Sequence, residues 1–114
     1  MTLNELLEVI RHSPEKVDFF EVINVIDTHY DFTPTRFTNG ELVSEAHENQ
    51  GSCKIFSFAG IHQLNPDETL ACFGDFYRQD VLAHPENQDH QNIRNFIRTG
   101  WEGIQFEGEA LQAK

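Results

Sequence analysis

Residues 13–30, with the sequence SPEKVDFFEVINVIDTHY, decide the fold of this chain. Ser13 can cap a helix, and Pro14 at the first helical position loses no donor that the helix needs. Behind them, apolar residues recur at helical spacing in a wide stripe: Val17, Phe19, Phe20, Val22, Ile23, Val25 and Ile26. A helix that is apolar over so much of its surface is expected at the centre of the core, and it is expected to run to about Tyr30.

The segments on either side predict further helices. Upstream, apolar residues at helical spacing mark a first amphipathic helix: Leu3, Leu6, Leu7 and Ile10. Residues 65–68 (Asn-Pro-Asp-Glu) form a helix start with a cap, a proline and acids, and this helix is expected to reach about Leu82. A last helix is expected from Asp89 to Gly100, where the glycine is a left-handed cap and Trp101 folds back onto the core.

In the middle of the chain, the sequence leaves the secondary structure of one segment open. Residues 44–51 are polar and predict a loop. Residues 52–59 are either a buried helix, capped by Ser52 and closed by Gly60, or a strand. The helix is favoured because it places Cys53, Phe56 and Ala59 on one face.

A small sheet completes the predicted fold. Asn39-Gly40 separates two short runs and indicates a β-hairpin, since a type I′ turn needs positive φ at both central positions. Residues 103–106 read as a short strand that can pair with this hairpin. We therefore predict a mostly helical α+β fold of about five helices with a small hairpin or sheet near Asn39-Gly40 and Ile104–Phe106. Residues 1–114 are expected to form one domain.

The charge of the chain is strongly acidic. Lys and Arg number 8 and Asp and Glu number 19, which gives a formal net charge of −11. Phosphate contacts dominate nucleic-acid affinity, so this balance argues against nucleic acid and against an anionic membrane surface as partners. Acidity of this kind keeps a protein soluble and monomeric, and it favours any protein partner that has a basic surface.

The two cysteines and the N-terminus bear on the compartment. Cys53 and Cys72 each lie in an apolar run, which indicates reduced core thiols in a reducing compartment. The first eight residues carry acids where a signal peptide carries bases. The cytoplasm is therefore the expected location.

The residues that could carry chemistry show no catalytic or metal-binding signature. Cys53 or Cys72 could pair with His90 as thiolate and imidazole, but a cysteine inside an apolar helix is more often a small core residue. The six histidines lack the tight spacing of zinc ligands, so we expect no metal. No phosphate loop or nucleotide motif indicates another cofactor. Whether the chain is an enzyme stays undecided at this point.

A cationic depression is the one site that the sequence suggests. His90 and Arg94 are four residues apart on the predicted last helix and would share a face. Arg78 would lie on the preceding helix, which is expected to be an antiparallel neighbour. With Tyr77, these residues could line a pocket for a small anion. The alternative is that the arginines form ion pairs with nearby acids and only hold the two helices together.

Several stretches resemble a known family. They are GSCKIF at 51–56, TLACFG at 69–74, YRQDVL at 77–82, DHQNIR at 89–94, GWEGI at 100–104 and FTNG at 37–40. Together they cover most of the chain and are similar to the HopJ type III effector family. The resemblance implies a bacterial protein that is delivered into a host cell, and it implies no catalytic set.

Two functional hypotheses follow. The first is a non-enzymatic bacterial interaction protein that acts by binding a partner, either inside the bacterium or as a delivered effector. The second is a small enzyme or an anion- or ligand-binding protein with a pocket formed by Tyr77, Arg78, His90 and Arg94. A cleft that joins these four side chains would favour the second, and dispersed, ion-paired side chains would favour the first.

Overall fold

The apolar stretch within residues 13–30 forms the central helix, as its pattern predicts. The computed structural model describes residues 1–114 and shows helix α2 at Phe19–His29, with Val22, Val25 and Ile26 buried. The other α-helices are α1 (Leu3–His12), α3 (Gln50–Ile61), α4 (Pro66–Ala71) and α5 (Gln91–Thr99). Five short strands complete the fold: β1 (Tyr30–Phe32), β2 (Phe37–Asn39), β3 (Leu42–Ser44), β4 (Ile104–Phe106) and β5 (Leu111–Ala113). The predicted α+β class is confirmed.

The start of α2 differs from the prediction. Pro14–Lys16 forms a separate 3₁₀ turn, and the side chain of Ser13 makes no capping bond. Asp18 caps α2 instead, because its Oδ2 accepts from the Glu21 N–H at 3.2 Å. The later start leaves Phe20, which we placed in the apolar stripe, 67% exposed.

Residues 52–59 are helical, and the favoured alternative is confirmed. The bounds of α3 are wider than predicted, because the helix is preceded by Asn49 rather than Ser52. Gly60 lies inside the helix rather than closing it. Cys53, Phe56 and Ala59 are buried, as the helical pattern predicted.

The predicted length of the helix from Asn65 to Leu82 is wrong. α4 ends at Ala71, and a short π-helix, Phe76–Val81, follows after a turn. Gly74 in this turn has φ of +60°, and a Cβ added there would lie 2.7 Å from the Phe19 backbone nitrogen. The glycine thus breaks the helix and lets the chain approach the start of α2 closely.

The last helix is also shorter than predicted. α5 begins at Gln91, because His90 has a left-handed backbone with φ of 52°. Gly100 has positive φ, but its ψ of −154° lies outside the left-handed helical region that we expected. Trp101 follows in a 3₁₀ turn, Gly100–Gly103, and is half-buried rather than fully in the core.

The hairpin and its pairing with β4 are confirmed, but the type of the turn differs from the one that we predicted. Asn39 pairs with Leu42, so Gly40 and Glu41 are the central residues. Positive φ occurs only at the first of them, Gly40, which is the pattern of a type II′ turn rather than type I′. The buried Asn39 belongs to the strand.

A second pairing, between β1 and β5, was not predicted. It continues the register of the β2–β4 pair, so that residues 29–40 and 103–114 form one antiparallel ribbon, broken in the middle. The ribbon is closed at one end by the Lys114 N–H to the His29 carbonyl and at the other by the Gly40 N–H to the Gly103 carbonyl. β3 flanks β2, and β4 has a free outer edge.

One hydrophobic cluster joins these elements. It contains residues from every α-helix, including the buried and free Cys53 and Cys72. Phe56 is its centre, with ring contacts to Phe37, Phe73 and Phe96. Each of the helices is too short or too polar to cross a membrane.

Candidate binding sites

The predicted site residues do not share one cavity. Arg78 is held by backbone: its Nη2 donates to the Val17 carbonyl at 2.6 Å and its Nη1 to the Pro14 carbonyl at 3.2 Å. Tyr77 is half-buried, and burial raises the pKa of its hydroxyl, with Asp67 adding to the effect. Both residues belong to the π-helix, and Arg78 ties it to the Pro14–Lys16 turn.

Arg94 is engaged by the loop that precedes its own helix. Its guanidinium donates to the carbonyls of Asp89 at 2.6 Å and His84 at 3.1 Å, and to Asp89 Oδ1 at 2.7 Å. This hydrogen bond lowers the pKa of the Asp89 carboxyl. Arg94 therefore closes the loop and has few donors to spare, so its role in binding a ligand stays a prediction.

His90 lies at a different place. Its Nε2 is 3.0 Å from Asp80 Oδ2, and its ring packs on Phe76 with the centroids 5.2 Å apart. His90 and Arg94 share two neighbours: Asp80, whose backbone carbonyl accepts from Arg94 at 3.5 Å, and Asp89, whose Oδ2 lies 3.9 Å from His90 Nε2. His90 lines one cavity and Arg94 another, and Tyr77 and Arg78 line neither.

The cavity that His90 lines lies between the starts of two helices, and we call it the helix-start cavity. Its volume is about 480 Å³. α3 contributes its first turn with Gly51 and Ser52, and α5 contributes Gln91, Asn92 and Ile93. Its remaining walls are Asn49 and the aromatic side chains of Phe19, Phe73 and Phe76.

Both helices that start at this cavity lack a side-chain cap. Asn49 before α3 and His90 before α5 have φ of 49° and 52°, and neither side chain bonds to the first turn. A capping residue normally has extended backbone, which turns its side chain back to the helix. The backbone N–H groups at the start of α3 and α5 are thus left without a protein partner.

The other three α-helices provide the contrast. Thr2 and Asn65 each form a capping box with the third residue of α1 and α4, and Asp18 caps α2. Among the α-helices, uncapped starts are therefore confined to the two that face the cavity.

A buried asparagine network lies beside the helix-start cavity. Asn39 Nδ2 donates to the Asn92 carbonyl at 2.7 Å and to Asn92 Oδ1 at 3.1 Å, while Asn95 Nδ2 donates to the Asn39 carbonyl at 3.1 Å. The network fixes α5 against the hairpin. Asn39 Oδ1 is fully enclosed without a partner. Asn92 Nδ2 also has no protein partner, and because it is not enclosed it lies at the cavity surface.

A second cavity runs along the C-terminal strand segment, and we call it the edge cleft. It has a volume of about 530 Å³ and lies between α3 on one side and residues 101–113 on the other. The walls are mostly apolar, with Phe56, Ile61 and Trp101 among them, and Glu109 is its one charged lining residue. A Cβ added at Gly60 on its wall would contact nothing within 4 Å.

The free edge of the sheet borders this cleft. Gln105 of β4 faces Thr38 of β2 in the hydrogen-bonded register, so the backbone groups of Phe106 point away from β2. No residue of β1, β2 or β3 lines the cleft, which places it on the outer side of β4. An extended segment entering here would meet an unpaired strand edge above an apolar floor.

Sequence reasoning missed most of the residues that line both cavities. Asn49 was assigned to a loop and Gly60 to the end of a helix, because left-handed caps and an interior helical glycine have no signal beyond the residue type. His90 was found, but as a helical residue. A glycine in the middle of an apolar helix is unfavourable, and this could have pointed to Gly60 as a place where space is needed.

No cluster of three or more His, Cys, Asp or Glu side chains is placed to hold a metal ion. The fold defines a small, mostly helical α+β protein with two cavities at its surface. The family model of the HopJ type III effector protein matches residues 3–111, so the chain belongs to the HopJ family, as its sequence stretches indicated.

The chain is also similar to VPA0580, a protein of unknown function with a crystal structure. The two share 59% sequence identity and superpose with a TM-score of 0.98, over 100% of this chain and 95% of that one. No match was found among curated proteins. The comparisons thus support the fold and the family and assign no activity.

Proposed function

We propose that this HopJ-family chain acts as one interaction domain that binds an extended segment of a partner protein in the edge cleft. The observation that carries the proposal is the free edge of β4 beside the apolar cleft. Peptides commonly bind such edges by adding a strand, where backbone hydrogen bonds supply affinity and pockets for alternate side chains supply specificity.

The chemistry of the partner follows from the cleft. Its floor is apolar, so the segment needs apolar side chains on one face. An exposed acid, Glu109, lines the cleft, and the whole chain has a net charge of −11. Electrostatic complementarity favours a segment with flanking Lys or Arg. The same charge supports the prediction that nucleic acid is not a partner.

A substitution at Gly60 can fill the cleft without disturbing the fold. Glycine in a helix costs about 0.5–1 kcal/mol relative to alanine. Gly60→Ala should therefore stabilise the protein and leave the cleft open, whereas Gly60→Phe places a ring in the cleft. Comparing these two variants separates an effect on binding from an effect on folding.

A random peptide library tests the proposal. Peptides are selected on the wild-type chain and measured by the fluorescence of Trp101, the single tryptophan, which lines the cleft. Alternating apolar residues with basic flanks are expected, with affinity lost by about tenfold or more in Gly60→Phe and retained in Gly60→Ala. N-methylation of alternate peptide residues should also abolish binding. Selected peptides that bind Gly60→Phe as tightly as the wild type would refute the cleft as the site.

Delivery is a separate part of the proposal. Because the family is described as type III effectors, we propose that the partner is a host-cell protein, reached from the bacterial cytoplasm by secretion. A reporter enzyme fused to the C-terminus, active only in host cytosol, should give a signal from wild-type bacteria and none from a strain without the secretion apparatus. Equal signals from both strains would contradict delivery by this route.

A further inference from the structure

The helix-start cavity has a chemistry of its own, independent of the edge cleft and of the proposed function. We propose that it binds a small organic anion, a carboxylate or phosphate ester attached to an aromatic body. Three observations support this: unpaired N–H donors from two helices, the absence of acidic lining residues, and an aromatic wall.

The donors come first. The first turns of α3 and α5 open into the same cavity, and their N–H groups have no partner. Those of Asn92 and Ile93 belong to residues that are only 5% and 2% exposed. Backbone N–H groups of buried residues are nearly always paired with protein, water or a ligand, so these donors are available to an acceptor in the cavity.

A side chain points to the same ligand. Asn92 lines the cavity and is only 5% exposed, and its Nδ2 makes no hydrogen bond within the protein. Its Oδ1 is already held by Asn39, which fixes the amide with its donor side toward the cavity. Ser52 adds a hydroxyl that makes no bond within the protein. The free donors around the cavity are thus the first-turn N–H groups, the Asn92 amide and the Ser52 hydroxyl, beside the amide oxygens of Asn49 and Gln91, whose NH2 groups are bonded within the protein.

The charges agree with an anion. The chain has 19 Asp and Glu, yet none of them lines this cavity. The positive ends of two helix dipoles meet there, which favours a negative ligand. The nearest carboxylate to the lining residue His90 is Asp80, which is held at 3.0 Å by the imidazole.

The remaining wall determines the body of the ligand. Phe19 and Phe76 meet edge to face with ring centroids 5.1 Å apart, and Phe19 and Phe73 are stacked at 6.5 Å. Together with the volume of about 480 Å³, this wall suits a small aromatic group. An inorganic ion would make no use of this aromatic wall, because it has no apolar group to pack against the rings.

The first test is a titration of the ¹⁵N-labelled chain followed by amide chemical shifts. The probes are phenyl phosphate, benzoate and inorganic phosphate. Saturable shifts are expected at Gly51, Ser52, Asn92 and Ile93, with phenyl phosphate or benzoate binding at least about tenfold more tightly than inorganic phosphate. The stronger of the two aromatic probes identifies the head group. The capped starts of α1 and α4 are the internal control and should not shift.

Two variants make the test specific. Ser52→Glu places a carboxylate at the third position of α3, where acids favour a helix, so the fold is kept while the anion site is filled. Gln50→Glu adds the same charge two residues earlier on an exposed side chain outside the cavity. Binding should be lost in Ser52→Glu and kept within about threefold in Gln50→Glu at 0.15 M salt.

Any one of the following results would overturn the proposal. They are the absence of saturable shifts with both aromatic probes, equal shifts at the capped starts of α1 and α4, and unchanged binding in a folded Ser52→Glu variant. Equal affinity for inorganic phosphate and the aromatic probes would also contradict it, because the aromatic wall would then contribute nothing.

Discussion

Asn49 and His90 have the same left-handed backbone, and each stands immediately before a helix that opens into one cavity. Residues of this conformation are usually glycine, with asparagine the commonest exception. The shared geometry leaves both helices uncapped at the same place, although three other α-helices of the chain are capped by side chains. Two departures from the normal helix start thus produce one polar surface.

The backbone of His90 gives the first prediction. Left-handed backbone costs a residue with a Cβ roughly 1–2 kcal/mol relative to glycine. His90→Gly and His90→Ala both lose the contacts with Asp80 and Phe76, so their difference isolates the backbone. We expect His90→Gly to be more stable than His90→Ala by about 1 kcal/mol in denaturant unfolding.

A helical position gives the control for this prediction. Ile97 is 48% exposed within α5, and there glycine should be less stable than alanine by about 1 kcal/mol. The order of the two variants must therefore reverse between positions 90 and 97. The same order at both positions would show that His90 has no left-handed backbone in solution.

Arg78 gives the second prediction, which concerns stability rather than binding. Its guanidinium holds two backbone carbonyls, of Pro14 and Val17, and its side chain is 24% exposed. Hydrogen bonds from charged groups contribute about 1.5–3 kcal/mol, so Arg78→Ala should lower the free energy of unfolding by that amount. Arg36, which forms exposed ion pairs with Glu45 and Glu107, is the matched control, and Arg36→Ala should cost less than about 1 kcal/mol. Equal losses would contradict this role for Arg78.

The helices and the hairpin could be predicted because their signals are local. Apolar spacing identified α1 and α2, and Asn65-Pro66 marked the start of α4 correctly. The ends of the helices depended on tertiary contacts. Gly74 breaks a helix because it must lie against the backbone of Phe19, and this neighbour cannot be read from the local sequence. The pairing of β1 with β5 joins segments about eighty residues apart and has the same origin.

The cavities could not be predicted for a related reason. The predicted pocket assumed that His90 and Arg94 are helical and free, whereas His90 lies before the helix and Arg94 is engaged by its own loop. An arginine with several carbonyls nearby binds them before any ligand, and only the path of the loop reveals those carbonyls. The sequence did indicate part of the right region, because His90 lines the helix-start cavity.

The thiols give the third prediction. Burial raises the pKa of Cys72 to about 12, with a smaller effect from Glu68, and burial also raises the pKa of Cys53. Because the thiolate is the reactive form, its fraction at Cys72 near pH 8 falls by roughly 10³-fold relative to a free thiol. A thiol reagent at pH 8 should label neither cysteine in the native protein within minutes and should label both in guanidinium. Fast native labelling of Cys72 would contradict its burial.

The last prediction concerns pH and follows from the contact of Tyr30 with His62. The Tyr30 hydroxyl lies 2.7 Å from His62 Nε2, and burial together with the positive charge of Arg11 lowers the pKa of His62 below its usual value of 6.5. In the unfolded chain His62 binds its proton at higher pH than in the folded protein. As the pH falls through 6.5, the unfolded state therefore gains protons first, and the free energy of unfolding decreases until the folded-state pKa is passed.

His62→Gln removes this titration and keeps a side chain that can accept a hydrogen bond from Tyr30. We expect the difference in unfolding free energy between wild type and His62→Gln to change between pH 7.5 and 5, with the wild type losing more stability on the acidic side. His12→Gln is the control, since it also replaces one imidazole by an amide, but at an exposed position on α1 that has no contact with Tyr30. Parallel pH profiles for wild type and His62→Gln would mean that the pKa of His62 is the same in the folded and unfolded chain, which would contradict the effect of burial and of Arg11 on its imidazole.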